Sequence, residues 1–276
     1  IYAIINGTTN YILTRMANEG ADFSAVLKNA QELGYAEANP RDDVEGIDAT
    51  YKLAILSSLA FHTRVRPDDI HHEGISRLSS RDFRYAQELG FAIKLLAIAK
   101  QDDKWIEVRV HPVMISIDSL LARVDGVYNA VLVEGDLVGN VLFYGRGAGP
   151  DPTSSAVVAD IISIAQDIGL SLGTRIKWMP KKKNIKPMAE VVTRYYIRMT
   201  VADQAGVLAQ ITRVFGDNQI SISACIQKDT DLAAQTTEIV ITTHPANEAA
   251  IQKAIAEMAE LKVVKEISNF IRVEDL

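Results

Sequence analysis

Asp48 and Lys52, four residues apart, sit in the part of the chain whose residue types are best suited to chemistry. On a helix they share one face and can bond to each other or to a common ligand. An exposed pair of this kind contributes only about 0.3–0.5 kcal/mol and needs no function. The surroundings suggest more. Asp42, Asp43, Glu45 and Asp48 crowd four carboxylates into seven residues, and these repel one another unless a cation, such as a substrate ammonium, sits among them. A lysine beside them can act as general acid at an alcohol or carbonyl oxygen. Acting as base near neutrality requires its reference pKa of about 10.4 to fall by roughly 3 units, about 4 kcal/mol. The apolar run Leu53–Leu56 would partly desolvate the pair and favour that fall, while the carboxylates oppose it.

A second polar segment, Phe143-Tyr-Gly145-Arg-Gly147-Ala-Gly149-Pro-Asp151-Pro-Thr153, reads as strand, glycine-rich turn and helix start. That order suits a phosphate cradle. The third glycine comes too early for a dinucleotide fingerprint, however, and Pro150 and Pro152 remove two donors. The turn is either structural or one wall of a ligand site. Asn6-Gly-Thr-Thr-Asn10 reads as a helix N-cap. His71 and His72 lack metal-ligand spacing, and His111 and His244 each precede a proline in turn-like settings, so no histidine is assigned to catalysis.

The elements that must position these groups follow from periodicity. Asn10–Asn18 and Phe23–Glu32 read as two opening helices, and Asp43–Ala60 as one longer, mostly buried helix carrying Asp48 and Lys52. Ser79–Leu89 reads as a further helix. Phe91–Ala99, Trp105–Pro112, Tyr128–Glu134 and Val138–Phe143 read as strands, the last two joined by a turn at Gly135-Asp136. A helix runs from Asp151 to about Asp167. Residues 179–190, rich in Lys and Pro, read as a linker between a first domain at 1–178 and a second at 191–276. The second domain reads as strand, helix, strand, strand, helix, strand, the ferredoxin-like βαββαβ order, and the whole is an α+β protein.

Composition narrows the function classes. The 276 residues are 48% hydrophobic and 23% charged with a net charge of −6, which describes a folded chain of two ordinary cores with no general affinity for nucleic acid. The one basic cluster, Lys177, Lys181, Lys182, Lys183 and Lys186, reads as a solvated linker, with an anion site as the lesser alternative. A single cysteine, Cys225, cannot close an intramolecular disulfide and fits a reducing cytoplasm, and no metal site is expected. The longest apolar runs are far short of a bilayer span.

Several blocks taken in order carry a resemblance. Asn6-Gly-Thr-Thr-Asn-Tyr-Ile, Leu33-Gly-Tyr-Ala-Glu37, Pro40-Arg-Asp-Asp-Val, Gly46-Ile-Asp48-Ala, Lys52-Leu, Glu73-Gly-Ile and Gly147-Ala-Gly-Pro-Asp-Pro-Thr-Ser-Ser-Ala follow the pattern of homoserine dehydrogenases, with Asn39 where that family often has Asp. The resemblance implies NAD(P)-dependent interconversion of L-homoserine and L-aspartate 4-semialdehyde on the route to threonine, methionine and isoleucine. It implies that Lys52 exchanges the proton at the substrate oxygen and that Glu37 and Asp48 hold the substrate ammonium with Asp43 in support. Gly34, Gly147 and Gly149 would then face the nicotinamide. Val201-Ala-Asp203-Gln-Ala-Gly206 and Phe215-Gly-Asp-Asn218-Gln-Ile220 resemble an ACT domain. That likeness implies a homodimer or higher oligomer and an amino-acid effector, expected to be threonine, near Asp203, Gly206, Asn218 and Ile220.

The chain opens inside an apolar run without Met, and the resemblance leads us to expect a nucleotide-binding Rossmann domain ahead of Ile1. This polypeptide by itself is then expected neither to bind NAD(P) tightly nor to turn over. The competing expectation is a free-standing amino-acid-binding regulatory protein without catalysis.

Overall fold

Residues 1–170, 183–231 and 233–276 are described by the structure, a computed structural model. The chain begins with a strand, β1 (Tyr2–Ile4), and not directly with the expected helix pair. Its apolar side chains are wanted between two longer strands that come later in sequence, a tertiary demand with no local signal. Helices α1 (Gly7–Glu19) and α2 (Phe23–Glu32) follow, α1 capped by Asn6, whose Oδ1 accepts from the Thr9 amide at 2.8 Å.

The expected single helix over Asp43–Ala60 is two helices, α3 (Arg41–Val44) and α4 (Ile47–Phe61). Gly46, at φ 77°, occupies the left-handed region and turns the chain between them. Nor is α4 mostly buried: Tyr51, Ile55 and Leu59 are exposed, Ala49, Thr50, Leu53, Ala54, Ser57 and Ser58 are buried, and Leu56 and Phe61 pack partly buried against the core.

Next come the short strand β2 (His71–His72) and α5 (Ser80–Glu88), begun where Asp82 accepts from the Ser79 amide at 2.9 Å. Strands β3 (Phe91–Gln101) and β4 (Trp105–Ser116) pair antiparallel along their whole length. His111 therefore lies in the middle of a strand, fully buried, and not in a turn. β5 (Tyr128–Gly135) and β6 (Gly139–Arg146) form the expected hairpin. Helix α6 (Pro150–Gly169) has no buried residue; Val157, Val158, Ile161, Ile162 and Ile164 are all at least half exposed.

Lys177, Lys181 and Lys182 of the basic cluster, and residues 179–182 of the expected linker, lie outside the described residues. The rest of that stretch is docked. β7 (Asn184–Ile185) pairs with the start of β4, and Lys183 donates to the Asp102 carbonyl at 2.6 Å. The second unit then runs β8 (Val192–Ala202), α7 (Val207–Asp217), β9 (Ile222–Asp231), β10 (Thr236–Thr243), the two-residue β11 (Ala246–Asn247), α8 (Glu248–Ala259) and β12 (Val264–Glu274). With β11 set aside, this is the expected βαββαβ order.

The two sheets are one. The strand order is β6-β5-β1-β3-β4-β12-β8-β10-β9, joined where Val113–Ile115 of β4 pairs in parallel with Arg272–Glu274 of β12. The far edge of β4 is covered in succession by β7, β2 and β12. Buried charge gathers at this seam. Arg272, 1% exposed, donates to both oxygens of Glu248 on α8 (2.6 and 2.8 Å) and to both of Glu73 beyond β2 (2.9 and 3.0 Å). Arg109 pairs with Glu274 and Glu107. Between the two arginines lies His111. The Arg109 Nε donates to its Nε2 at 3.0 Å, so the ring is neutral with its proton on Nδ1, 2.9 Å from the Pro112 carbonyl. A second buried tie joins Arg198 of β8 to Asp82 of α5 (2.7 Å) and to Glu238 of β10 (2.8 Å). Cys225 is free and exposed.

Candidate active site

The start of α1 gathers Asp43, Asp48 and Lys52. Asn6 precedes the helix, and its Nδ2 reaches two carboxylates at once: Asp43 Oδ1 at 2.8 Å and Asp48 Oδ2 at 2.9 Å. Asp48 also accepts from Lys52 Nζ at 2.6 Å, and Lys52 donates a second time to the Ile5 carbonyl at 3.1 Å. Asp48 and Lys52 do share the outer face of α4, as their spacing requires. An ammonium has three donors. Among the described residues two have partners, which leaves one N–H of Lys52 for a substrate oxygen.

Two carboxylates bridged by a single amide are held close against their mutual repulsion. The partial positive charge at the N-terminus of α1 and the Lys52 ammonium offset that repulsion. Asp43 feels the crowding. Burial first, then the charges of Asp48 and Glu37, raise its pKa, while the Asn6 hydrogen bond and Lys52 oppose the rise. Glu37 therefore lies within electrostatic range of Asp43, although it is exposed and its backbone carbonyl is held by Gln31 at 3.0 Å. The site is open: the Lys52 side chain is 47% exposed, less desolvated than the neighbouring apolar run suggests.

Around this centre lie two glycine segments. Gly34 has φ 76° at the end of α2, and the next carbonyl, that of Tyr35, accepts from Thr8 Oγ1 at 2.6 Å, tying the loop to the first turn of α1. Gly7 packs so closely on the Val127 carbonyl that a Cβ would come within 2.8 Å. Two residues on, the Asn129 side-chain amide occupies the place where a Cβ at Gly147 would stand, so a larger residue there has to displace that amide. Gly149, at φ 121°, starts α6. Arg146 has its pKa raised by Tyr128 first and, more weakly, by Tyr35 and Asp151, so the Gly34 and Gly147–Gly149 segments flank one side chain. All three glycines are exposed. Each presents backbone without a Cβ, open to the flat face of a ring.

Asn6 was legible in the sequence only as a cap; its bridging of Asp43 and Asp48 was missed. The one available signal was a polar N-cap followed by a second asparagine. Asn10 spends its Nδ2 on the carbonyls of Val124, Gly126 and Tyr128, fixing the loop on which Gly7 packs.

The four residues expected near an effector are not brought together within one chain. Asp203 and Gly206 precede α7, with the Asp203 amide bonded to the Gln235 carbonyl at 3.0 Å. Asn218 and Ile220 follow α7, an 11-residue helix of about 16 Å. Asn218 donates to Glu257 of α8 at 2.7 Å, and Ile220 is buried.

Comparison with known proteins gives a consistent result. Residues 1–162 match the homoserine dehydrogenase family, and residues 195–262 match the ACT domain. A homoserine dehydrogenase of Synechocystis sp. is 46% identical over 99% of this chain, and one of Neisseria gonorrhoeae is 46% identical over all of it. The chain spans 65% of the length of each. The crystal structure of a homoserine dehydrogenase from Thiobacillus denitrificans superposes with a TM-score of 0.93 at 45% identity, covering 99% of this chain and 63% of that one. A hyperthermophilic archaeal homoserine dehydrogenase in complex with NADPH matches 60% of this chain and 47% of its own, with a TM-score of 0.50 at 30% identity.

Proposed function

The chain belongs to the homoserine dehydrogenase family and carries an ACT domain, and from that premise we propose that it forms the substrate-binding, catalytic and dimerising part of an enzyme that interconverts L-homoserine and L-aspartate 4-semialdehyde. The observation that carries this reading is the Asn6–Asp43–Asp48–Lys52 cluster. It places an anionic pocket for an ammonium beside a lysine with an N–H to spare. Glu37 and Asp48 hold the substrate amine, and Asp43, linked through Asn6, keeps Asp48 in place. During reduction the Lys52 ammonium gives its spare proton to the carbonyl oxygen; during oxidation the neutral amine, formed once that proton has passed to solvent, takes the proton of the hydroxyl.

The bare backbone at Gly34, Gly147 and Gly149 fits a nicotinamide ring, and NAD(P), when bound, supplies the hydride acceptor. No dinucleotide fingerprint occurs in the sequence to hold the phosphates. Residues 1–178 are thus assigned to catalysis, 179–190 to the connection and 191–276 to regulation. With Asp203 and Gly206 at one end of α7 and Asn218 and Ile220 at the other, pairing of two copies would complete an amino-acid site, for which threonine is the proposed ligand.

The test is homoserine oxidation followed at 340 nm in an active enzyme that includes these residues. Lys52→Ala should lower turnover at least ~100-fold; unchanged turnover refutes the assignment. The 276-residue chain assayed alone should be inactive.

A further inference from the structure

The Asp43–Asp48 pair sits on either side of a bend, and the bend is pressed by a loop that the last strand of the chain holds. Ile75 donates its amide to the Val44 carbonyl at 2.8 Å, and Ser76 Oγ donates to Glu45 Oε1 at 2.9 Å. Gly74 lies against the Val44 carbonyl and Glu45 with no room for a Cβ, and a Cβ on Gly46 would come within 3.3 Å of the Glu73 carbonyl. Residues 73–76 thus form the wall on which the α3–α4 bend rests. That wall is fixed at its start, where the Glu73 amide donates to the Val110 carbonyl of β4 at 2.8 Å and its carboxylate takes the two-pronged bond from Arg272 of β12.

We propose that Glu73 is a positioning residue for the substrate-amine site: clamped by Arg272, it holds the 73–76 loop against the bend and so sets Asp43 and Asp48 at the separation that Asn6 bridges. The inference rests on the homoserine reading of that site. It adds that the position of the regulatory domain's last strand is built into substrate affinity. Glu73 touches none of the candidate substrate-binding groups and acts through residues 44–46, by their backbone and by the Ser76–Glu45 bond.

Burial alone would raise the Glu73 carboxyl, but the bonds from His71 and Arg272 overcome it and keep the group ionised well below the usual carboxylate range. Glu73→Gln keeps the shape and loses the charge. Arg272 then keeps only Glu248 as a charged partner, and the loop loses its clamp.

The experiment compares steady-state parameters of the active enzyme with those of Glu73→Gln, Glu73→Asp and Glu274→Gln. A displacement of under an ångström at a binding group is costly. Glu73→Gln should raise the KM for homoserine about tenfold, with kcat and the KM for the nicotinamide cofactor within about twofold. Glu73→Asp, which restores the charge, should recover part of the loss. Glu274→Gln disturbs the neighbouring Arg109 pair at the same seam without touching the bend and should leave the homoserine KM unchanged. A wild-type homoserine KM in Glu73→Gln overturns the proposal, as does an equal rise in Glu274→Gln. Should Glu73→Gln fail to fold, Ser76→Ala, an exposed change that cuts the tie to Glu45, replaces it; a rise of two- to threefold in that KM supports the proposal and no rise overturns it. A wild type that does not oxidise homoserine refutes the functional reading itself, a result separate from these.

Discussion

Acidification should weaken this fold through one histidine. His111 is fully buried in β4, and burial first, then the charges of Arg272 and Arg109, hold its pKa well below the ordinary 6.5; Glu73 and the Pro112 carbonyl only partly offset them. In the unfolded chain the same ring titrates near 6.5. Below that value the unfolded state binds a proton that the folded state refuses, so stability is complete above about pH 7.5 and falls as pH drops. With the folded ring neutral throughout, the ratio of unfolded-state binding terms changes tenfold between pH 7.5 and 5.5, equivalent to about 1.4 kcal/mol. The measurement is urea unfolding at both pH values for the wild type and His111→Gln, which cannot titrate yet can still accept from Arg109. The wild type should lose about 1.4 kcal/mol more than the variant over that interval. Parallel profiles would refute the reasoning, since they would mean that the ring takes up its proton equally in both states.

Two further outcomes concern the regulatory unit. Asp82→Asn removes one of the two buried carboxylates that hold Arg198, leaving Glu238 as its counter-ion, and should cost about 1–3 kcal/mol in urea unfolding; a loss under about 0.5 kcal/mol would show that water reaches the cluster. Titration of threonine into the chain by calorimetry should give heat at millimolar ligand or below, and none would leave the ACT domain a purely pairing role.

How much of this could be read beforehand depended on how local the cause was. The Asp48–Lys52 pair is a four-residue relation, and the structure forms it as the spacing demands. The βαββαβ order of the C-terminal unit was equally plain, because apolar periods alternate there between strand and helix and turn residues such as Asp203, Gly206 and Asn218 separate them. The bend at Gly46 was missed although a glycine marked it; the apolar period continues through the break and the force that keeps it comes from residues 73–76. His111 looked like a turn residue because of the following proline, yet pairing with β3 along the whole of β4 overrides that cue. Glu73 and Arg272 are 199 positions apart, and no pattern of spacing in the sequence connects them.

The parallel join of β4 to β12 also sets an order of events during synthesis. Val113–Ile115 is made first, and its partner Arg272–Glu274 emerges about 160 residues later. Until then the edge of β4 offers unpaired amides and carbonyls, with Arg109 and its neighbours still hydrated, a template for stray strands in a crowded cell. Closing so distant a contact is slow. The nascent protein therefore passes through a vulnerable interval while β4 waits for β12, and a truncation ahead of Arg272 would leave that interval without an end.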